Sequence, residues 1–376
     1  MRYLIAIDSF KGSLTSLQAG KAVAEAIARA DKNAEATVRP LADGGEGTVD
    51  ALCAGMGGTK VQLTVTGPLG QPVEAAYGIL PDGTAVLEMS AAAGITLVPL
   101  QLRDPLQTTT FGVGEMISDA LSRGCRRFVI GIGGSATNDG GMGMLQALGV
   151  RFLDGEGNGV SPFGKGLEHI ASIDASGLLP QLKECTFRIA CDVNNPLCGQ
   201  RGCSAVYGPQ KGADEATIAK MDGWLERFAK LVCGVCENAD AAYPGAGAAG
   251  GLGFAFMSFL PATLEPGVQI VLEETRLEQY VREADIVITG EGRLDEQTVM
   301  GKAPIGVAGL AKKHGKKVIA FSGCVTQGAA VCNDHGIDAF FPVVPGVVTL
   351  EEALDTENAY RNLHNTAYQV CRLLNL

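Results

Sequence analysis

The sequence predicts an α/β protein of two domains. One is a parallel-sheet domain assembled from both ends of the chain; the other is a second α/β domain with a mixed sheet, inserted within it. Three observations carry this. The chain has 376 residues, more than one ordinary core holds. Apolar strands alternate with helical periodicity at both ends, as a parallel sheet requires. Between them lies a run of short strands joined by tight turns, a meander rather than a crossover unit.

Taken in order, Arg2–Ile7 is an apolar strand ending at Asp8, and Thr15–Ala30 follows with Leu17, Val23 and Ile27 at helical spacing. Ala36–Leu41 is the next strand, and the loop at Asp43 opens a helix over Thr48–Ala54. The texture changes near residue 60: Val61–Thr66, Glu74–Ile79 and Ala85–Met89 are strands separated by Gly-Pro-Leu-Gly and Pro-Asp-Gly-Thr. Helix Phe111–Arg123, strand Arg127–Ile132, helix Met142–Leu148 and strand Val150–Leu153 restore the alternation. Phe187–Cys191 is a strand ending in Asp192, and Trp224–Cys236 reads as a helix. Strands Ile286–Thr289, Lys317–Phe321 and Ala339–Pro342 close the chain, with helices Ile305–His314 and Glu351–Asn375. The matching ends place residues 1–60 and 265–376 in one discontinuous domain and 61–264 in the insertion.

Composition narrows the function. With 46% hydrophobic and 19% charged residues the chain fills cores and is not disordered. Fifty-one glycines, without a collagen period, point to many tight turns. A net charge of −11 argues against nucleic-acid or membrane-surface partners, so the expected partner is a small molecule, with a homodimer left open. An anionic ligand then needs a local positive field. Eleven irregularly spaced cysteines and an opening MRYLIAIDSF too short for a signal peptide suggest reduced thiols in the cytoplasm. Cys233 and Cys236 form a CxxC without a second pair or a nearby histidine, which favours packing over zinc. No apolar run reaches membrane-spanning length.

The polar signatures fall just after strand ends: Asp8, Asp43, Gly133–Asp139, Asp192 and Gly290–Asp295. Open α/β sheets bind ligands at that edge. Asp-Gly-Gly-x-Gly occurs twice, at Asp43–Gly47 and Asp139–Gly143, and Gly290–Asp295 is GEGRLD. Each sets a carboxylate beside bare backbone, where N–H groups close on an anion and the acid can hold a divalent cation. That combination suits a metal–phosphate substrate and a small-molecule kinase. Lys11 could neutralise a phosphate, with Ser13 near a helix start; a capped helix with a surface lysine is the plainer alternative. Asp43 is a better metal candidate than Glu46. Asp192 and Asn194 suit a general base, a metal site or simply a turn.

Gly131, Gly133 and Ala136 also fit the dinucleotide fingerprint, with Asp154 where a ribose-binding acid belongs. The rival is therefore a nicotinamide oxidoreductase; Gly245–Gly250 is a weaker second match. Ser135, Thr137, Asn138 and Asp139 count against it, since dinucleotide helices turn apolar there. Gly159–Lys165 misses a P-loop because Gly166 stands where Ser or Thr must be. Glu291, Arg293, Asp295 and Lys302 form the densest charged stretch, with Pro304 in the first turn of the next helix. The four histidines lie outside every cluster, as metal-assisted phosphoryl transfer permits.

Together these stretches resemble the type-1 glycerate kinase family: DSFK-x-S, ADGGEGT, GIGGSAT-x-DGG-x-G, ACDV-x-NPL and ITGEGR-x-D-x-QT followed by GKAP, in order from Asp8 to about Ala308. The resemblance implies ATP- and Mg²⁺-dependent phosphorylation of D-glycerate to 2-phosphoglycerate. It also implies a flavodoxin-like domain and a second α/β domain, with the active site in the cleft between them. On that basis Lys11 and Arg293 are expected to hold the glycerate carboxylate or the transferring phosphoryl group. Asp192 or Asp43 would orient the hydroxyl, and Asp295 or Asp139 would help hold Mg²⁺. Gly133, Gly134 and Ser135 would cradle the nucleotide phosphates, with Ser13, Thr137, Glu291 and Lys302 in the same binding set. A non-catalytic sensor that keeps the site is the remaining alternative.

Overall fold

The computed structural model describes residues 1–375. Its strands are β1 (Arg2–Ile7), β2 (Glu35–Val38), β3 (Thr59–Thr66), β4 (Pro72–Ile79), β5 (Thr84–Glu88), β6 (Arg127–Gly131), β7 (Arg151–Leu153), β8 (Ser172–Asp174), β9 (Thr186–Ala190), β10 (Ala262–Glu265), β11 (Ile286–Leu294), β12 (Lys317–Val325) and β13 (Ala339–Pro342). They belong to two compact units. The first comprises Met1–Asp43, Asp50–Gly58 and the chain from Val268 onwards; the second comprises Gly44–Val49 and Thr59–Gly267.

In the first unit the order β2-β1-β11-β12-β13 is parallel throughout. Numbered within the unit this is 2-1-3-4-5, the flavodoxin-like order, whose topological switch point lies between β1 and β11. Tyr3 to Ile7 are all buried, as expected of a central strand covered on both faces. Helix Ser16–Ala30 packs Val23, Ala26 and Ile27 into a core shared with Leu363, Ala367 and Val370 of helix Thr356–Leu374. A Thr15/Gln18 capping box starts the first of these helices.

The second unit is built on a mixed sheet, β10-β9-β6-β5-β4-β3. Strands β5, β6, β9 and β10 are parallel, while β3, β4 and β5 form the antiparallel meander. Phe128 and Phe187 stack on its neighbouring strands at 4.6 Å, and Phe152, Phe228, Phe254 and Phe256 fill the same core.

Four local expectations change. Gly290–Leu294 is not a loop: β11 continues through it, pairing Glu291 with Ser322 and Arg293 with Cys324. The strand around Val150 leaves the main sheet, and β7 pairs only with β8. The terminal helix breaks at Asp355, whose extended backbone separates Leu350–Leu354 from Thr356–Leu374 and whose side chain accepts from Asn358 N–H. The helix before residue 234 runs Glu215–Cys233 from an Asp214 cap, so Cys236 lies beyond it. No helix among the described residues is long and apolar enough to cross a membrane.

Candidate active site

In the first unit, residues far apart in sequence meet at the carboxyl ends of β1, β2 and β11. The buried Ser16 hydroxyl donates to the Ile7 carbonyl and accepts from Leu41 N–H at 2.7 Å, tying the end of β1 to the segment before Asp43. Lys11 reaches Asp43 at 3.2 Å. Asp8 is buried and takes the N–H of Ser9, while its own N–H donates to Gly290. Burial first, then the Asp43 carboxylate, pushes the Asp8 carboxyl up to about 7, against the pull of Ser9 N–H and Lys11. For Lys11 burial lowers the ammonium, but Asp43, then Asp8 and Glu291, outweigh it and hold it above its ordinary value.

On β11 and the following turn, Thr298 donates its hydroxyl to Glu291 at 2.9 Å. Lys302 stands 3.7 Å from both Glu291 and Asp295, and Arg293 Nε is 3.1 Å from Asp295. Burial raises the Glu291 carboxyl, opposed by Lys302 and Thr298. Lys302 is the residue before helix Ala303–Lys313, with Pro304 in its first turn. The first helix begins at Ser16, and Ser13 sits in a preceding turn with its hydroxyl donating to Phe10 O.

The second unit builds its carboxyl edge from glycine. Gly44 has φ +88°, and a Cβ there would lie 2.6 Å from Gly267 and 2.7 Å from Ala190. A Cβ on Gly131 would meet the Gly44 carbonyl at 2.2 Å. The first glycine loop therefore lies against the ends of β6 and β9, and Val49 N–H donates to Glu88 at the end of β5. Asp192, exposed after β9, accepts from Gly267 N–H at 3.0 Å.

In Gly131–Gly141 only Gly133 and Gly134 are exposed. Among the described residues no acceptor meets the N–H groups of Gly133, Gly134 or Ser135. The polar run behind them turns inward. Asp139 is fully buried and accepts from Thr110 N–H and hydroxyl, Gly141 N–H and Gly143 N–H. Burial raises its carboxyl and these donors oppose that. Its oxygens are filled by the protein, so it is a loop anchor and not an open metal ligand. Thr137 is also fully buried, with no hydrogen-bond partner for its hydroxyl among the described residues. Asn138 donates to Ser204, and Gly140 N–H to Gly250 O.

The dinucleotide rival loses its geometry. After Gly131 the chain forms no helix until Met142, so no helix N-terminus follows the fingerprint. The second glycine run is packing: a Cβ on Gly250 would lie 2.1 Å from Thr137 O, and one on Gly251 2.7 Å from Gly140 Cα.

The description of the glycerate kinase family matches residues 3–375. The chain belongs to the glycerate kinase family. The glycerate 2-kinase of Escherichia coli K12 is 46% identical over 375 residues, spanning 100% of this chain and 98% of that protein. The glycerate kinase of Halalkalibacterium halodurans is 47% identical over 366 residues, 96% of each chain. A crystal structure described as glycerate kinase 2 from Salmonella typhimurium LT2 is similar at a TM-score of 0.92 and 46% identity, covering 100% of this chain and 98% of that one.

Within this glycerate kinase fold, Lys11, Asp43, Glu291, Arg293, Asp295 and Lys302 share one edge of the first unit. Gly133, Gly134, Ser135 and Asp192 lie at the carboxyl edge of the second. Among the described residues no three His, Cys, Asp or Glu side chains converge as a ready-made metal site. Asp295 is already met by Arg293, Lys302 and the N–H of Gln297. Mg²⁺ commonly keeps its waters and binds through one or two carboxylates plus substrate phosphates, so a closed protein cage is not required. Two residues escaped assignment from sequence. Asp8 was visible as a strand-end acid, but its raised pKa depends on burial. Lys211 stood in Gly-Pro-Gln-Lys-Gly, which reads as an exposed turn, yet it is 2% exposed.

Proposed function

We propose that this chain is an ATP-dependent kinase that phosphorylates D-glycerate to 2-phosphoglycerate. The observation that carries it is the convergence of Asp8, Lys11, Asp43, Glu291 and Arg293 at the switch point of a parallel sheet, in a member of the glycerate kinase family. The substrate hydroxyl oxygen would form a bond to the γ-phosphorus as the bond from that phosphorus to the bridging oxygen of ADP breaks. The hydroxyl proton passes to a carboxylate. Asp8 joins Asp43 and Asp192 as a candidate for that role, because a carboxyl poised near neutrality is matched to proton transfer. Lys11 and Arg293 would hold the substrate carboxylate or the phosphoryl group, and the open N–H groups of Gly133–Ser135 the nucleotide phosphates. Mg²⁺ would neutralise the phosphates and arrive with the nucleotide. Eleven free cysteines support work in a reducing cytoplasm.

Incubation with D-glycerate and Mg-ATP, followed by separation of phosphoglycerate isomers, tests this. ADP and 2-phosphoglycerate in equal amounts are expected. Binding without turnover would favour a sensor, and a change in nicotinamide absorbance an oxidoreductase.

A further inference from the structure

Lys211 is the only lysine or arginine that is buried among the described residues. Gly208 approaches Ser204 so closely that a Cβ would lie 2.3 Å from the Ser204 carbonyl. Gly212 holds φ +95°, with the Arg103 carbonyl 2.0 Å from where its Cβ would be. Between them, with Pro209 at the start of the 3-10 turn, Lys211 is buried. Its ammonium donates to Ser135 Oγ at 2.8 Å and to the Thr137 carbonyl at 2.6 Å.

Burial opposes this charge and pulls the ammonium down to about 8; the ionisable groups acting against that pull are the Cys203 thiol and the Asp139 carboxylate. An apolar side chain in the same space would avoid the desolvation cost, so packing alone does not account for a lysine. Hydrogen-bond chemistry does. A serine hydroxyl has one proton to donate and two lone pairs. Lys211 occupies the lone-pair side, and no acceptor for the Ser135 proton exists among the described residues. Ser135 is left as a donor beside three unpaired backbone N–H groups, with a fixed cation behind them.

We infer that Lys211 is a positioning residue for the anionic ligand of the Gly133–Ser135 loop, acting through the Ser135 hydroxyl. This rests on the proposal that the loop binds nucleotide phosphate. The loop then gains positive field from a lysine that never touches the ligand.

The test is steady-state kinetics of the full chain with D-glycerate and Mg-ATP for Lys211→Met, Ser135→Ala and the double variant, with unfolding midpoints recorded for each. Each single variant should raise KM for ATP about tenfold, with kcat within about threefold and KM for glycerate unchanged. The double variant should be within about twofold of Lys211→Met, because both changes remove one interaction. Multiplication of the two effects, or a wild-type KM for ATP in Lys211→Met alone, overturns the inference and leaves the loop assignment standing. If Ser135→Ala changes neither KM, the loop assignment falls and the inference with it. Should Lys211→Met not fold, the unmodified enzyme decides. Its KM for ATP should climb as pH passes about 8, and Ser135→Ala should lack that rise. A flat wild-type profile overturns the inference.

Discussion

The carboxyl edges of the two units are built in different ways, in a protein that carries a net charge of −11. The first unit uses side-chain charge. Asp8, Lys11, Asp43, Glu291, Arg293, Asp295 and Lys302 hold one another in shifted or paired states, and several remain open to solvent. The second unit uses backbone. Gly44 and Gly131 bring main chain close, Gly133 and Gly134 leave their N–H groups bare, and the acid in its motif, Asp139, is spent on holding the loop. Groups whose protonation must change belong where solvent and neighbours can tune them. Groups that must hold still belong in a packed, hydrogen-bonded frame. The same Asp-Gly-Gly-x-Gly string serves both purposes.

The sharpest way to break this contrast is Asp139→Ala. Removing a fully buried acceptor of four hydrogen bonds should cost about 3–5 kcal/mol of stability, read from urea unfolding. Lost activity at unchanged stability would return Asp139 to the chemistry. Next in size, Lys11→Ala and Arg293→Ala should each lower kcat at least about tenfold while leaving the unfolding midpoint nearly unchanged, since both side chains are largely exposed. Near-normal kinetics for both would remove charge from the account of the first unit.

Asp8→Asn sharpens the comparison through pH. The folded protein holds the Asp8 proton up to about pH 7, against 3.8 for an ordinary aspartate. Between those values the folded state binds the extra proton, so this group's contribution to stability falls as pH rises and is most unfavourable above about 7. Asp8→Asn should therefore raise the melting temperature at pH 8 and leave it nearly unchanged at about pH 4. If Asp8 accepts the hydroxyl proton, kcat/KM in the unmodified enzyme falls below about pH 7, and that limb disappears in the variant. A limb that persists would pass the role to Asp43 or Asp192. The smallest effect is expected from Cys233→Ser, an exposed thiol at a helix end, within about 0.5 kcal/mol in stability and without loss of activity. A large loss there would reopen a metal or redox role for the CxxC.

Much of this is legible in the sequence. Short apolar runs bounded by turn residues and period-3.6 patterns located the β1–helix–β2 opening and the β3–β5 meander to within a few residues. The strand-end positions of Asp8, Asp43 and Asp192 were legible from the same apolar runs. What misled was polarity taken as exposure. Thr137, Asn138 and Asp139 read as a ligand-facing cluster but are buried, and GEGRL read as a loop but continues β11. Helical or strand periodicity carries no information about the direction of a glycine-rich irregular segment, because no repeating face exists there.

By itself the sequence determined the α/β class, the alternation of its elements, the family and the edge at which polar residues gather. All of these follow from local periodicity and from motifs that sit within a few residues of one another. Tertiary structure decided the 2-1-3-4-5 strand order, the near-neutral carboxyl of Asp8, the inward turn of Asp139 and the burial of Lys211. Each depends on which distant backbone or charge comes to lie beside the residue: desolvation and hydrogen-bond saturation are properties of a neighbourhood, and the neighbours are separated by tens to hundreds of positions in the chain.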